Sequence, residues 1–207
     1  LEELADGFPW SLDRTHELAC TLLDACAYLT DQGLIHRDIS PRNIIVPDAD
    51  TVPAKLIDFG VSRTEHASGC TMVGTPRYRA PEIDRGQQWD ASCDVYATSV
   101  VLFRVLTGTF PFSLTDTTAD KYQMVDVTAL GLSETALEYA RVLQQGCDPD
   151  KSQRVGSAES LLDRLNAVIR TRPVELDGRW VESDLVAALQ AIYRNSRTGN
   201  ADNRGLD

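Results

Sequence analysis

Between Asp13 and Gln32 apolar residues recur every three to four positions, at Leu18, Leu22, Cys26 and Leu29, with Leu23 and Ala27 widening the stripe. That period predicts a long helix with one buried face, and Gly33 is its expected C-terminal stop. Two short β-branched runs follow, Ile44-Ile45-Val46 and Leu56-Ile57, on either side of the turn-rich segment Pro47 to Pro53, and predict a small β pair. From Ala91 to Thr107 the positions Val95, Val100, Val101, Leu102, Val105 and Leu106 are apolar nearly all round, the pattern of a buried helix, and Gly108 ends it. Helical periods also run from Glu134 to Gln145 and from Ala158 to Ile169, so the expected fold class is mainly α with a small β element. After Arg172 the pattern changes. Thr171 to Gly178 reads as a connector, Leu185, Val186, Leu189, Ile192 and Tyr193 mark an amphipathic helix, and Asn195 to Asp207 is a polar tail. The expected organisation is one domain over 1–172, then linker, helix and tail over 173–207.

Composition narrows the function classes. The chain has 207 residues, 43% of them hydrophobic, and 31 acidic against 20 basic residues give a formal charge of −11. No long basic cluster is present to follow a phosphate backbone, which argues against nucleic-acid binding. The most apolar stretch, Val100 to Leu106, is interrupted by Arg104 and is far shorter than the roughly 20 residues of a membrane helix. Five widely spaced cysteines, Cys20, Cys26, Cys70, Cys93 and Cys147, are odd in number and contain no C-x-x-C pair. They argue against a zinc site and for the reducing cytoplasm.

The chemistry is concentrated in three short motifs. His36-Arg37-Asp38 is followed by Asn43, then come Asp58-Phe59-Gly60 and Ala80-Pro81-Glu82. Each carboxylate alone would read as a turn or capping residue, since Asp and Asn are common in turns. Three such motifs in this order are a far stronger signal.

In this set the chain resembles the protein kinase family over about Leu1 to Arg172, most closely eukaryotic-type (Hanks-type) serine/threonine kinases of bacterial style. The resemblance implies a kinase-like fold and transfer of the ATP γ-phosphate to a Ser or Thr hydroxyl of a protein substrate. It casts Asp38 as the base that orients the acceptor hydroxyl and Asn43 and Asp58 as ligands of Mg²⁺, a hard cation that prefers oxygen donors. Asn43, Asp58 and Ile45 then contribute to the ATP site. The segment Gly74-Thr75-Pro76-Arg77-Tyr78-Arg79-Ala80-Pro81-Glu82 is similar to the Ser/Thr-kinase platform in which a Thr hydroxyl, here Thr75, contacts the catalytic Asp. His36 and Phe59 are expected to stack, Asp94 to hold the catalytic-loop backbone, and Glu82 and Arg154 to form a buried ion pair. Thr71 is the expected phosphorylation site between Asp58 and Glu82, with Arg37 and Arg63 as its cationic partners.

Two departures change that picture. Ser40 stands where such kinases usually place a phosphate-contacting Lys, and Arg42 is the candidate replacement. No G-x-G-x-x-G loop and no V-A-I-K lysine precede His36, which leaves only the C-terminal lobe, expected to be inactive without its N-lobe and to adjoin further domains at both ends. The rival readings are a catalytically silent kinase-like scaffold and a small-molecule phosphotransferase of the same fold.

Overall fold

The computed structural model describes residues 1–47, 53–59, 63 and 64, 75–113, 122–176 and 179–182. The chain divides into two compact units, 1–165 and 166–207. The first unit is helical with two very small sheets, and the site lies there.

Helix α1 (Leu12–Asp31) starts where Ser11 accepts a hydrogen bond from the backbone N–H of Arg14 and stops at Gly33, whose φ of 67° suits a residue without a Cβ. Its predicted stripe is its buried face, with Leu18, Leu22, Leu23, Cys26 and Leu29 all inside. Strand β1 (Leu34–Ile35) follows, and a 3-10 turn over Pro41–Asn43 leads into β2 (Ile44–Ile45). β2 pairs antiparallel with β3 (Lys55–Leu56) in the register Ile44 to Leu56 and Ile45 to Lys55, so the expected β pair forms. A second pair was not legible in the sequence: β1 bonds to β4 (Arg63–Thr64), with Ile35 opposite Arg63. Two-residue strands carry too few alternations to stand out.

The short helix α2 (Pro81–Asp84) precedes α3 (Ser92–Thr107), in which every residue from Ser92 to Leu106 except Arg104 is buried. Gly108, at φ 76°, closes α3 by donating its N–H to the Arg104 carbonyl. α3 is the core element: α1 packs on one side of it and α4 (Glu134–Gly146) on another. Cys26 Sγ meets Thr98 Oγ1 at 3.6 Å between α1 and α3. Tyr139 and Leu143 of α4 are fully buried, each contributing about 1.5–3 kcal/mol by leaving water.

At Gly146 α4 lies tight against α3, and an added Cβ would collide with Ser99 Oγ and press on Leu161. In an exposed helix, Gly→Ala gains about 0.5–1 kcal/mol. Here overpacking, at about 1–3 kcal/mol, outweighs it. Gly146→Ala is therefore expected to lower the thermal midpoint by several degrees, at roughly 2–4 °C per kcal/mol, and Ser99→Ala in the same chain to restore part of the loss. An unchanged or raised midpoint would show that the helices separate freely there.

Helix α5 (Ala158–Thr171) runs from the first unit into the second. In the second unit the stretch read as a connector instead holds a hairpin, β5 (Pro173–Leu176) with β6 (Arg179–Glu182), pairing Val174 with Val181 and Leu176 with Arg179. The signal was in the sequence: Asp177-Gly178 between two short alternating runs is a favoured hairpin dipeptide. The amphipathic helix and polar tail expected after it lie outside the described residues.

Candidate active site

His36, Arg37 and Asp38 follow β1, and Arg37 takes a backbone conformation that L-residues rarely adopt, at φ 72°. Such a residue costs on the order of 1–3 kcal/mol and persists only where its surroundings hold it. The holder is Asp94 of α3: its Oδ2 accepts the His36 N–H at 2.7 Å and its Oδ1 the Arg37 N–H at 2.8 Å. Burial pushes the Asp94 carboxyl up, and those two N–H donors pull the other way. This is the role expected of Asp94. The Arg37 guanidinium is buried and lies 4.4 Å from the ring centroid of Trp89, a contact with no sequence signal.

His36 ties the loop to β3. Its Nδ1 accepts the Asp38 N–H at 3.3 Å and its Nε2 lies 3.2 Å from the Ile57 carbonyl, the arrangement of a ring protonated at Nε2. Ile57 in turn donates its N–H to the Asn43 carbonyl at 2.9 Å, so the residues after β3 sit beside the catalytic loop. Asp58 then takes φ 63°, and the Phe59 ring meets His36 at 5.0 Å between centroids, so the expected contact is present but with the rings tilted by 60° and not stacked.

Asp38 is the centre of the site. Its Oδ1 accepts both the Thr75 N–H at 2.9 Å and the Thr75 Oγ1–H at 3.1 Å, and its Oδ2 accepts from Asn43 Nδ2 at 3.0 Å. Asn43 also donates to the Asp38 carbonyl at 2.8 Å, which uses both amide N–H groups and leaves the amide oxygen. That oxygen and the Asp58 carboxylate, exposed at the neighbouring strand end, are oxygen donors of the type a small hard dication takes, with phosphate and water oxygens to complete its shell. Mg²⁺ with ATP fits this pair. Ile45, 48% exposed, adds apolar surface on the same β2–β3 element.

The platform is anchored from below. Glu82 and Arg154 make the expected buried pair, two parallel bonds of 2.6 and 2.9 Å, and Arg154 also donates to the carbonyls of Ser92 at 3.1 Å and Asp148 at 3.0 Å. Tyr78 is tied to α3 by a 2.6 Å bond from Arg104 Nη1.

The remaining sequence candidates divide. Ser40 is fully buried, and its Oγ makes no hydrogen bond among the described residues, whereas Arg42 is exposed on the 3-10 turn. The structure thus offers Arg42, not position 40, as an accessible cation. Thr71 and Gly60 lie outside the described residues, and Arg63 is placed only as a backbone partner of Ile35. The regulatory trio Thr71, Arg37 and Arg63 is therefore not assembled by what the structure describes.

A model of the protein kinase domain matches residues 3–165. Among curated proteins, the chain is 33% identical to the protein lin-2 of Caenorhabditis elegans, over 78% of this chain and 18% of that protein. It is 31% identical to a probable serine/threonine-protein kinase of Streptomyces coelicolor, over 78% of this chain and 25% of that protein. It is 30% identical to the mouse ribosomal protein S6 kinase alpha-4, over 96% of this chain and 29% of that protein. The chain thus spans less than a third of the length of these relatives. With the family match over most of its residues, and serine/threonine kinases among its relatives, the chain belongs to the eukaryotic-type protein kinase family.

Proposed function

We propose that this chain is the C-terminal lobe of a serine/threonine protein kinase that moves the γ-phosphate of Mg-ATP onto a protein hydroxyl in the cytoplasm. The observation that carries this reading is the double hydrogen bond from Thr75 to Asp38 Oδ1. It joins the platform that would hold a Ser- or Thr-bearing segment to the carboxylate that would receive the acceptor proton. When bound, Mg-ATP supplies the transferable phosphoryl group and the positive charge that offsets it.

The residues of the chain then do the following. Asn43 and Asp58 hold the cation through their side-chain oxygens, and Ile45 offers the nucleotide an apolar face. Asp38 orients the acceptor hydroxyl and takes its proton as the new oxygen–phosphorus bond forms and the bond to the leaving diphosphate breaks. Arg42 supplies the positive charge that Ser40 lacks. The nucleotide-covering G-x-G-x-x-G loop and the V-A-I-K lysine do not stand before His36 in this sequence, so these roles are not assigned to its residues.

A catalytically silent module would need neither Asp38 bonded to Asn43 nor a carboxylate at Asp58, and a small-molecule phosphotransferase would not need the Ala80-Pro81-Glu82 platform. The test is transfer from γ-labelled ATP by the full-length protein, with and without Mg²⁺, followed by phosphoamino-acid analysis. Magnesium-dependent label on Ser or Thr is the expected result. Label confined to Tyr, or none on any protein, would overturn the reading.

A further inference from the structure

Arginines on the platform fall into two groups. Arg79 is paired with Asp84 at 2.8 Å and Arg154 with Glu82. Arg77 and Arg104 have no carboxylate partner among the described residues. Both guanidiniums instead lie against one ring, that of Phe110, at 5.2 and 4.9 Å from its centroid. Arg104 gives one hydrogen bond to the neutral hydroxyl of Tyr78, whose ring is 5.7 Å from that of Phe110. Glu2, the carboxylate felt at the Tyr78 hydroxyl, is exposed and forms no ion pair with either guanidinium.

Two like charges held at one ring repel each other, and the ring's negative face offsets only part of that repulsion. The arrangement is the more telling in a chain with 31 acidic and 20 basic residues, where carboxylates are the commoner neighbours. Arg77 is exposed and stands two residues after Thr75, which is bonded to Asp38.

We propose that Arg77 and Arg104 select an acidic acceptor segment, so that the substrate carries anionic side chains, carboxylate or phosphorylated, beside the Ser or Thr that receives the phosphate. This rests on the kinase reading above and adds the substrate class to it. Guanidiniums meet carboxylates and phosphates through paired N–H donors, and such charge-assisted bonds are the stronger kind. The formal charge of −11 does not oppose this at contact, because beyond a Debye length of about 8 Å the distant carboxylates are screened.

The experiment uses the full-length protein with Mg-ATP and four peptides that share one acceptor Ser and differ only in flanks of Ala, Glu, phosphoserine or Lys. Glu- or phosphoserine-flanked peptides are expected to exceed the Lys-flanked peptide in kcat/KM by about tenfold or more, chiefly through KM. Preference for the phosphoserine arm alone would identify phosphate as the anion, and preference for both would identify charge. Arg77→Glu should erode the preference and its combination with Arg104→Glu invert it, while Arg77→Lys keeps most of it. Because Arg77 is exposed, its single variant remains informative even where Arg104→Glu fails to fold. A flat or reversed dependence on the flanks would overturn the proposal while leaving the kinase reading intact. So would a preference that survives both charge reversals. Transfer to none of the peptides and to no mixed protein substrate would overturn both readings together.

Discussion

Asp38→Asn is expected to lower kcat of the full-length enzyme by about 10²–10⁴-fold, the usual contribution of a positioned general base. Geometry makes the change larger than the loss of one charge. Asp38 faces donors on both sides: the N–H and O–H of Thr75 at Oδ1, and the Asn43 amide at Oδ2. An amide at position 38 has one oxygen for these two sites. Thr75 brings two donors and so keeps the oxygen, which sets the new N–H₂ group against the N–H₂ of Asn43. Relief comes when Asn43 turns its amide over, and its oxygen, the one left for Mg²⁺, then points to residue 38. The variant should consequently need more Mg²⁺ for its residual activity, a shift that loss of the base alone would not produce. The fold should survive, because His36 and Arg37 remain held by Asp94. Titration of activity against Mg²⁺, beside a thermal melt, checks each part. Undiminished transfer would remove Asp38 as the base, and an unshifted Mg²⁺ requirement would remove the flipped Asn43.

What the sequence made legible was whatever leaves a period or a fixed motif. The stripe at Leu18, Leu22, Cys26 and Leu29 placed α1, and the apolar positions between Val95 and Leu106 placed the central helix. The motif residues His36, Asp38 and Asn43 are bonded into one loop, and Ile57, next to Asp58, bonds to both His36 and Asn43 because the β2–β3 pair brings it there. Strand β4 is too short to show a pattern, and its partner β1 is 28 residues back in the chain by its Ile35–Arg63 register. Such pairing is set by tertiary contact and not by local propensity. Trp89 over Arg37, and Arg77 with Arg104 at Phe110, were invisible for a similar reason: cation–π contacts between residues far apart in sequence have no spacing rule. The only hint was Arg104 itself, a charge interrupting an otherwise apolar helix. A buried helix tolerates it because its head reaches the Tyr78 hydroxyl at the helix edge.

The second large effect is expected at Arg154. Arg154→Met should destabilise the protein by about 3–5 kcal/mol, the cost of leaving one partner of a buried pair uncompensated. Glu82 is only 3% exposed and receives two bonds from Arg154, so without the guanidinium its carboxylate is stranded in the interior. The carbonyls of Ser92 and Asp148 lose a donor in the same step. The pair itself need not favour folding over an apolar alternative, since taking two charges out of water offsets most of their attraction. Glu82→Leu combined with Arg154→Met should therefore recover much of what Arg154→Met alone loses. That non-additivity is the signature of a mutual interaction. The pair also joins the α4–α5 connection, through Arg154, to Glu82 at the end of the platform, and Pro81 and Glu82 follow Tyr78 by only a few residues. Activity measured well below the melting temperature should thus fall in Arg154→Met and stay low in the double variant, because stability returns there without the bidentate geometry that fixes the platform. Urea midpoints and kinase rates on the three proteins separate the two roles. Equal unfolding midpoints for wild type and Arg154→Met would show that Glu82 finds water or another donor, and simple additivity in the double variant would show that the two side chains act independently.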